Sequence, residues 1–328
     1  MKILVTGGAG YIGSHTVKEL LANGDKVVVF DNLSYGHKHA IPKKAKFIKG
    51  DLKNQKLIEK VLKREKIEAV FHFAGFIQVG ESVKQPLKYY KNNFYNGINL
   101  LEAMKFANVK YIIFSSSAGV YGQPKKMPIA EGDPKDPINT YGRTKLMFEY
   151  ALKSYDEAYD IKFIALRFFN AAGASSESEI GEDHSPETHI IPLIIQAALG
   201  QRDEFKIFGN DYKTPDGTCV RDYIHVEDIA MAHLQGLRYL RQKNKSNIYN
   251  IGIGKGFSNL ELVETVKKVS EVDFKVSYMP RREGDPDELV ADSSRAREML
   301  NWTPKYDTIE SIIKTAYDWH EKHPKGFK

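Results

Sequence analysis

The chain has 328 residues, 42% hydrophobic and 27% charged, with a formal net charge of +6 at pH 7. That size and balance describe a globular protein of one extended domain or two unequal ones, and no apolar run is long enough for a bilayer span or a secretory leader, so a cytoplasmic protein is expected. Cys219 is the only cysteine, which excludes an internal disulfide and any cysteine-based metal site, and it reads as a small packed residue. No metal ligands are assigned.

Apolar runs near 2–6, 26–30, 46–49, 68–72, 109–116 and 161–168 alternate with helical patterns, which predicts a doubly wound parallel sheet of the Rossmann type. The first run leads into Gly7-Gly8-Ala9-Gly10-Tyr11-Ile12-Gly13 and then a helical pattern. Such a loop suits a dinucleotide: Gly7 permits a tight turn, Gly10 lets a pyrophosphate approach the backbone, and Gly13 lets helix and strand pack closely. Asp31 ends the second run, about twenty residues on, where a carboxylate binds ribose hydroxyls and repels a 2'-phosphate; this favours NAD over NADP. Lysines 53, 56, 60 and 63 read as a solvated face, since acids sit among the basic residues and no exposed aromatics interleave; nucleic acid is not an expected partner.

The run from Lys110 to Phe114 ends in Ser115-Ser116-Ser117, placing hydroxyls at the carboxyl edge of the sheet. Pro137, Asn139 and Thr140 read as a helix start, and Tyr141 and Lys145 lie four apart on that helix, so they share a face. An ammonium beside a phenol is expected to lower the phenol's pKa and fit it for proton transfer. After Asn170 the rhythm breaks into a polar loop, Ala171 to Thr188, followed by shorter elements. The expected division is 1–170 for the NAD-binding domain, with about 219–252 returning to it, and 171–328 mainly a smaller C-terminal substrate-binding lobe. The lysine-rich end, Glu321 to Lys328, is expected to fray.

Together GGAGYIGSH, Asp31-Asn32, Phe73-Ala74-Gly75, VGES at 79–82, SSSAGVYG, YGRTK, Arg167-Phe168-Phe169-Asn170 and GNDYKTPDGTCVRDYIHVEDIA closely resemble the UDP-glucose 4-epimerase family, within the extended short-chain dehydrogenase/reductases. The resemblance runs from Met1 to at least Trp302. It implies a reversible C4 inversion of a UDP-sugar through a 4-keto intermediate, with tightly bound NAD recycled. Tyr141 would be the base and acid, Ser117 would hold the 4-oxygen, and Lys145 would bind the nicotinamide ribose. Tyr11 and Ile12 would lie at the pyrophosphate, Asp31 and Asn32 at the adenosine ribose, and Asp51 and Leu52 near adenine; Phe73, Ala74, Asn92, Ser115 and Phe168 would complete the cofactor cleft. Asn170, His189, Phe208, Arg221, Tyr223, Arg282 and Asp285 would bind the nucleotide sugar. Helices near 93–107 and 141–158 would form a homodimer interface.

Three residues depart from the family pattern: Ile77 stands where a lysine is frequent, and Phe168 and His189 where Tyr and Asn are frequent. Leu289 lies where the family carries either a tyrosine or a smaller residue, and is expected to leave room for a 2-acetamido group. The rival readings are a nucleotide-sugar 4,6-dehydratase, which needs acids that Ala118 and Gly119 do not supply, and a UDP-hexuronate 4-epimerase. A hydroxysteroid-type dehydrogenase and a non-catalytic NAD sensor leave the arginines or the Ser117, Tyr141 and Lys145 set unexplained.

Overall fold

The computed structural model describes residues 1–282 and 285–327. Six strands fall within about two residues of the expected runs: β1 (Lys2–Thr6), β2 (Lys26–Asp31), β3 (Lys46–Lys49), β4 (Ala69–His72), β5 (Tyr111–Ser115) and β6 (Lys162–Phe168). A seventh, Asn247–Ile251, pairs beyond β6, giving the order 251-edge, β6, β5, β4, β1, β2, β3, every neighbour parallel. Parallel strands are covered on both faces, which is why β1 and β4 read as continuous apolar runs. Ile3 and Val5 join one core with Val17, Phe71, Leu237 and Trp302, while Leu4 joins the other with Ile58, Val70, Leu101 and Phe148.

A third core lies outside this sheet. Helices Ile190–Ala198, Asn259–Ser270 and Ile309–Lys322 pack against a two-stranded sheet in which Phe205–Phe208 pairs with Val276–Met279. Between these lobe elements the chain returns to the main sheet: helix Val226–Lys243 packs on helix Tyr11–Ala22, and Ala296, Leu300 and Trp302 join the same core. The helix expected near 93–107 begins as a π turn, Tyr90–Tyr95, before the α-helix Asn96–Ala107. The extra residue per turn lets Asn93 point inward, where it exchanges hydrogen bonds with the Phe76 N–H and C=O, while Asn92 faces the cleft.

One expectation is corrected. The C-terminal end is packed, not frayed: the Phe327 N–H donates to Asp183 Oδ2 at 3.0 Å, and its ring lies 5.3 Å from both His37 and Trp319. Packing of the one large apolar side chain in a lysine-rich stretch, against His37 and Trp319, outweighs the tendency of ends to loosen; Lys328 lies outside the described residues.

Where β5 ends, Glu149 of helix Thr140–Tyr159 meets Arg167 of β6 in a bidentate pair, with Nε–Oε1 2.9 Å and Nη2–Oε2 2.6 Å, both side chains nearly inaccessible. Ser116 Oγ donates to the same carboxylate, and Arg167 Nη1 donates to the Tyr121 hydroxyl, which donates on to Asn250 Oδ1. Removing one partner of such a pair strands a buried charge. Arg167→Ala should therefore lower stability by about 3–5 kcal/mol, read as a drop in the urea midpoint at unchanged slope.

Candidate active site

The glycine loop is held by sterics. Gly7 has φ +75°, and a Cβ there would sit 2.5 Å from the Ala74 nitrogen; a Cβ on Gly13 would sit 2.2 Å from the Gly7 carbonyl oxygen. Gly10 caps helix Tyr11–Ala22 in extended conformation with no side chain over the helix end, leaving its first N–H groups open to an anion. At the end of β2, Asp31 accepts from the Ala9 N–H at 3.0 Å and the Leu33 N–H at 2.8 Å, two of the roughly four bonds a carboxylate can accept. Burial raises its pKa, and these bonds oppose the rise. Asn32 Nδ2 donates to Asp51 Oδ2 at 3.1 Å, tying the ends of β2 and β3 together.

Asn139 caps helix Thr140–Tyr159 by accepting from the Gly142 N–H, and three polar side chains one turn apart then face the end of β5. Tyr141 stands close enough to Ser117 for that hydroxyl to oppose the rise in its pKa, Lys145 Nζ donates to the Ser115 carbonyl at 2.8 Å, and Ser116 Oγ donates to Glu149 Oε1 at 2.6 Å. Ser117 Oγ also accepts from the Gly119 N–H at 3.1 Å, which fixes its rotamer. Burial draws the Lys145 ammonium down to about 8, with Glu149 pulling the other way. The expected lowering of Tyr141 is not found: burial raises its pKa, and the Ser117 hydroxyl only moderates the rise. Lys145 Nζ is spent on a carbonyl and lies 5.6 Å from the Tyr141 ring centre, so desolvation dominates.

The two halves of the molecule enclose one cleft of ≈1530 Å³. Typical small-molecule sites are about 300–1,000 Å³, so this one has room for two ligands. All the cofactor residues expected from sequence line it, from Gly7, Tyr11, Ile12, Asp51 and Leu52 through Phe73, Ala74 and Asn92 to Phe168. So do Asn170, His189, Phe208, Arg221, Tyr223, Arg282 and Asp285 on the substrate side. Arg282 lies over the Phe208 ring at 4.1 Å, whereas its neighbour Arg281 pairs with Asp211 and covers Tyr212 away from the cleft. Arg221 Nη2 is 4.0 Å from Asp285 Oδ1, and Leu289 pairs in register with Arg221. Ile77 faces the cleft, 37% exposed, and brings no cation there.

Two features of the cleft went unread in the sequence. Phe327 forms part of its wall. The loop before helix Ile190–Ala198 gathers Glu182, His184, Glu187 and His189 beside Tyr11, a grouping visible only as an alternation of acid and imidazole over eight residues. Burial works against a charged His184, but Glu182 and Glu187 overcome it and lift the imidazole to about 10.

A model described as the NAD dependent epimerase/dehydratase family matches residues 3–252. The UDP-glucose 4-epimerase of Lactobacillus helveticus is 53% identical over 328 residues, 100% of this chain and 99% of that one. The crystal structure of UDP-glucose 4-epimerase from Brucella ovis in complex with NAD is 43% identical with a TM-score of 0.94, covering 97% of this chain and 98% of its own. The UDP-Glc/GlcNAc 4-epimerase from Campylobacter jejuni is 46% identical with a TM-score of 0.86, covering 98% and 99%.

The overlap at Gly13 makes a direct test. Gly13→Ala should push the helix start off the loop and strip the protein of bound dinucleotide, measured as NAD released on acid denaturation.

Proposed function

The chain belongs to the NAD dependent epimerase/dehydratase family, and we propose that it inverts C4 of a UDP-hexose, interconverting UDP-glucose and UDP-galactose with its NAD restored in every cycle. The observation that carries this reading is the placement of Tyr141 beside Ser117, with Lys145 one turn behind, in one cleft lined both by the glycine loop and Asp31 and by Arg221, Arg282 and Phe208.

The residues fit NAD: Gly7 and Gly13 lie where any Cβ would collide, the helix start behind Gly10 is open, and Asp31 keeps acceptor capacity for the adenosine ribose while disfavouring a 2'-phosphate. NAD, when bound, would supply the hydride acceptor and donor for C4. Tyr141 removes the 4-hydroxyl proton and later gives it back, and Ser117 holds the same oxygen in line. Since burial raises the Tyr141 pKa and the Ser117 hydroxyl opposes it only in part, the positive charge that favours the phenolate would come from the bound nicotinamide, whose ribose Lys145 would hold. Arg221 and Arg282 bind the diphosphate by charge-assisted hydrogen bonds, and Phe208 offers an apolar platform to uracil. Asn170, Tyr223 and Asp285 complete this end. The cleft volume supports a keto sugar that turns over between two faces while still anchored by its nucleotide.

Elimination chemistry is disfavoured, because Ala118 and Gly119 follow Ser117 in the cleft wall and neither is an acid. Leu289 beside Arg221 leaves the sugar end wider than a tyrosine would, and the Campylobacter jejuni relative bears both UDP-Glc and GlcNAc in its name, so N-acetylated UDP-sugars are proposed as further substrates. We assign the chain to the cytoplasm, in keeping with its lone buried cysteine; no helix among the described residues is long and apolar enough to cross a membrane. A homodimer is supported by Tyr95, Phe106 and Tyr150, each more than half exposed on the paired helices around Asn96–Ala107 and Thr140–Tyr159.

Purified protein given UDP-galactose and no added NAD should form UDP-glucose without accumulating NADH, and Tyr141→Phe should keep its NAD while losing roughly 10²–10⁴-fold in turnover. A 4-keto-6-deoxy product, or near-normal turnover in the variant, would overturn this mechanism. UDP-N-acetylglucosamine should also react, and Leu289→Tyr should abolish that activity while sparing UDP-galactose. Light scattering should give twice 37.2 kDa; a monomer at working concentration would refute the dimer.

A further inference from the structure

Glu182, His184, Glu187 and His189 converge within one loop, each offering one ligand atom, and the four atoms lie within 4.8 Å of one another. His184 Nδ1 is 3.4 Å from Glu182 Oε1 and 3.6 Å from Glu187 Oε2. Ligands at zinc distances of about 2.0–2.1 Å stand about 3.4 Å apart along the edges of a tetrahedron, so the two His184 spacings match such an edge, while the remaining ligand atoms would close on the ion by side-chain rotation. His189 Nδ1 hydrogen-bonds Glu182 Oε1 directly, a bond that a shared ion would replace.

The carboxylates are aimed. Glu187 Oε1 accepts the N–H groups of Thr188 at 2.7 Å and His189 at 2.8 Å, which turns Oε2 toward His184. Backbone bonds of this kind fix a ligand's direction before any ion arrives. His184 Nδ1 itself is buried and aligned for a hydrogen bond with neither carboxylate, although both are close. A set of plain ion pairs would align that nitrogen with one oxygen. A shared central cation needs it directed between the two.

We propose that these four side chains bind a first-row divalent cation, with zinc the preferred ion, in a closed site of two imidazoles and two carboxylates. Two nitrogen ligands disfavour magnesium and calcium, and four protein ligands leave no position open for chemistry, so the ion is structural. Its place gives it a task. The His184 ring stands edge-on to Tyr11 at 6.5 Å, and His189 immediately precedes helix Ile190–Ala198. The ion would clamp the loop between the glycine-loop helix and the lobe helix, bracing the cleft where the two halves meet.

The test uses untagged full-length protein, treated with chelator and dialysed against zinc chloride at micromolar free metal. The expected result is one zinc per chain by plasma mass spectrometry, with a raised thermal midpoint. His184→Ala and Glu187→Gln, each verified by circular dichroism and retained NAD, should weaken binding roughly tenfold or more, while His39→Ala at an exposed site should not. No zinc retained by the wild-type chain, or retention undiminished in both variants, overturns the site. If either variant fails to fold, zinc-edge X-ray absorption of the wild-type protein decides: two imidazoles in the first shell support the assignment, and their absence refutes it.

Discussion

The position of the Tyr141 phenol rests on one match between a helix face and a strand end. Tyr141, Lys145 and Glu149 recur every four residues, and Ser117, Ser115 and Ser116 receive them in turn. Each contact serves a different purpose. Glu149 brings a charge into the interior, where only the fork of Arg167 and the Ser116 hydroxyl make it tolerable. Lys145 spends a hydrogen bond on a backbone carbonyl that β5 leaves free as it ends. Tyr141, the outermost of the three, is left facing the cleft. The buried pair thus sets the depth of the helix, and the depth sets where the phenol stands.

The cleft follows from that placement. Its cofactor side is framed by rigid backbone, at strand ends and a glycine turn where side chains have no room. Its substrate side belongs to a separate core of helices, reached by a loop that passes beside Tyr11. The two sides also differ in their side chains: Arg221, Arg282 and Phe208 line one, and Asp31 at the end of β2 lines the other. A reaction that must turn a sugar over needs its anchor and its chemistry on different supports, and this architecture separates them.

Much of this was legible in the sequence because its causes are local. Gly7 and Gly13 are required by distances of a few ångströms within one turn, and the pairing of Tyr141 with Lys145 follows from helix geometry alone. The sign of the Tyr141 shift was not legible: spacing reveals a neighbouring charge, but desolvation depends on everything packed around the group, and here it wins. The choice between Arg281 and Arg282 turns on which side of a short segment faces Phe208, a matter of tertiary register. Phe327 was hidden by the lysines around it, since composition reports an average and one packed ring contradicts it. The convergence of Glu182, His184, Glu187 and His189 needed a folded loop, because their spacing follows no regular element.

The sheet has a consequence for the order of events during folding. All seven strands are parallel, so no neighbouring pair can be joined by a tight turn, and each contact must wait for a crossover. β1 pairs with β4 across more than sixty residues of chain, in the register Ile3↔Ala69, and the edge strand at Asn247–Ile251 meets β6 only after the first part of the lobe has been made. Arg167 reaches its buried partner Glu149 when β6 docks, while the Tyr121 and Asn250 end of the network closes only with that last strand. A growing chain therefore carries an unfinished sheet edge for most of its synthesis. The polar network behind Tyr141 thus gains its last partner, Asn250, in the same late step that sets the outermost strand in place.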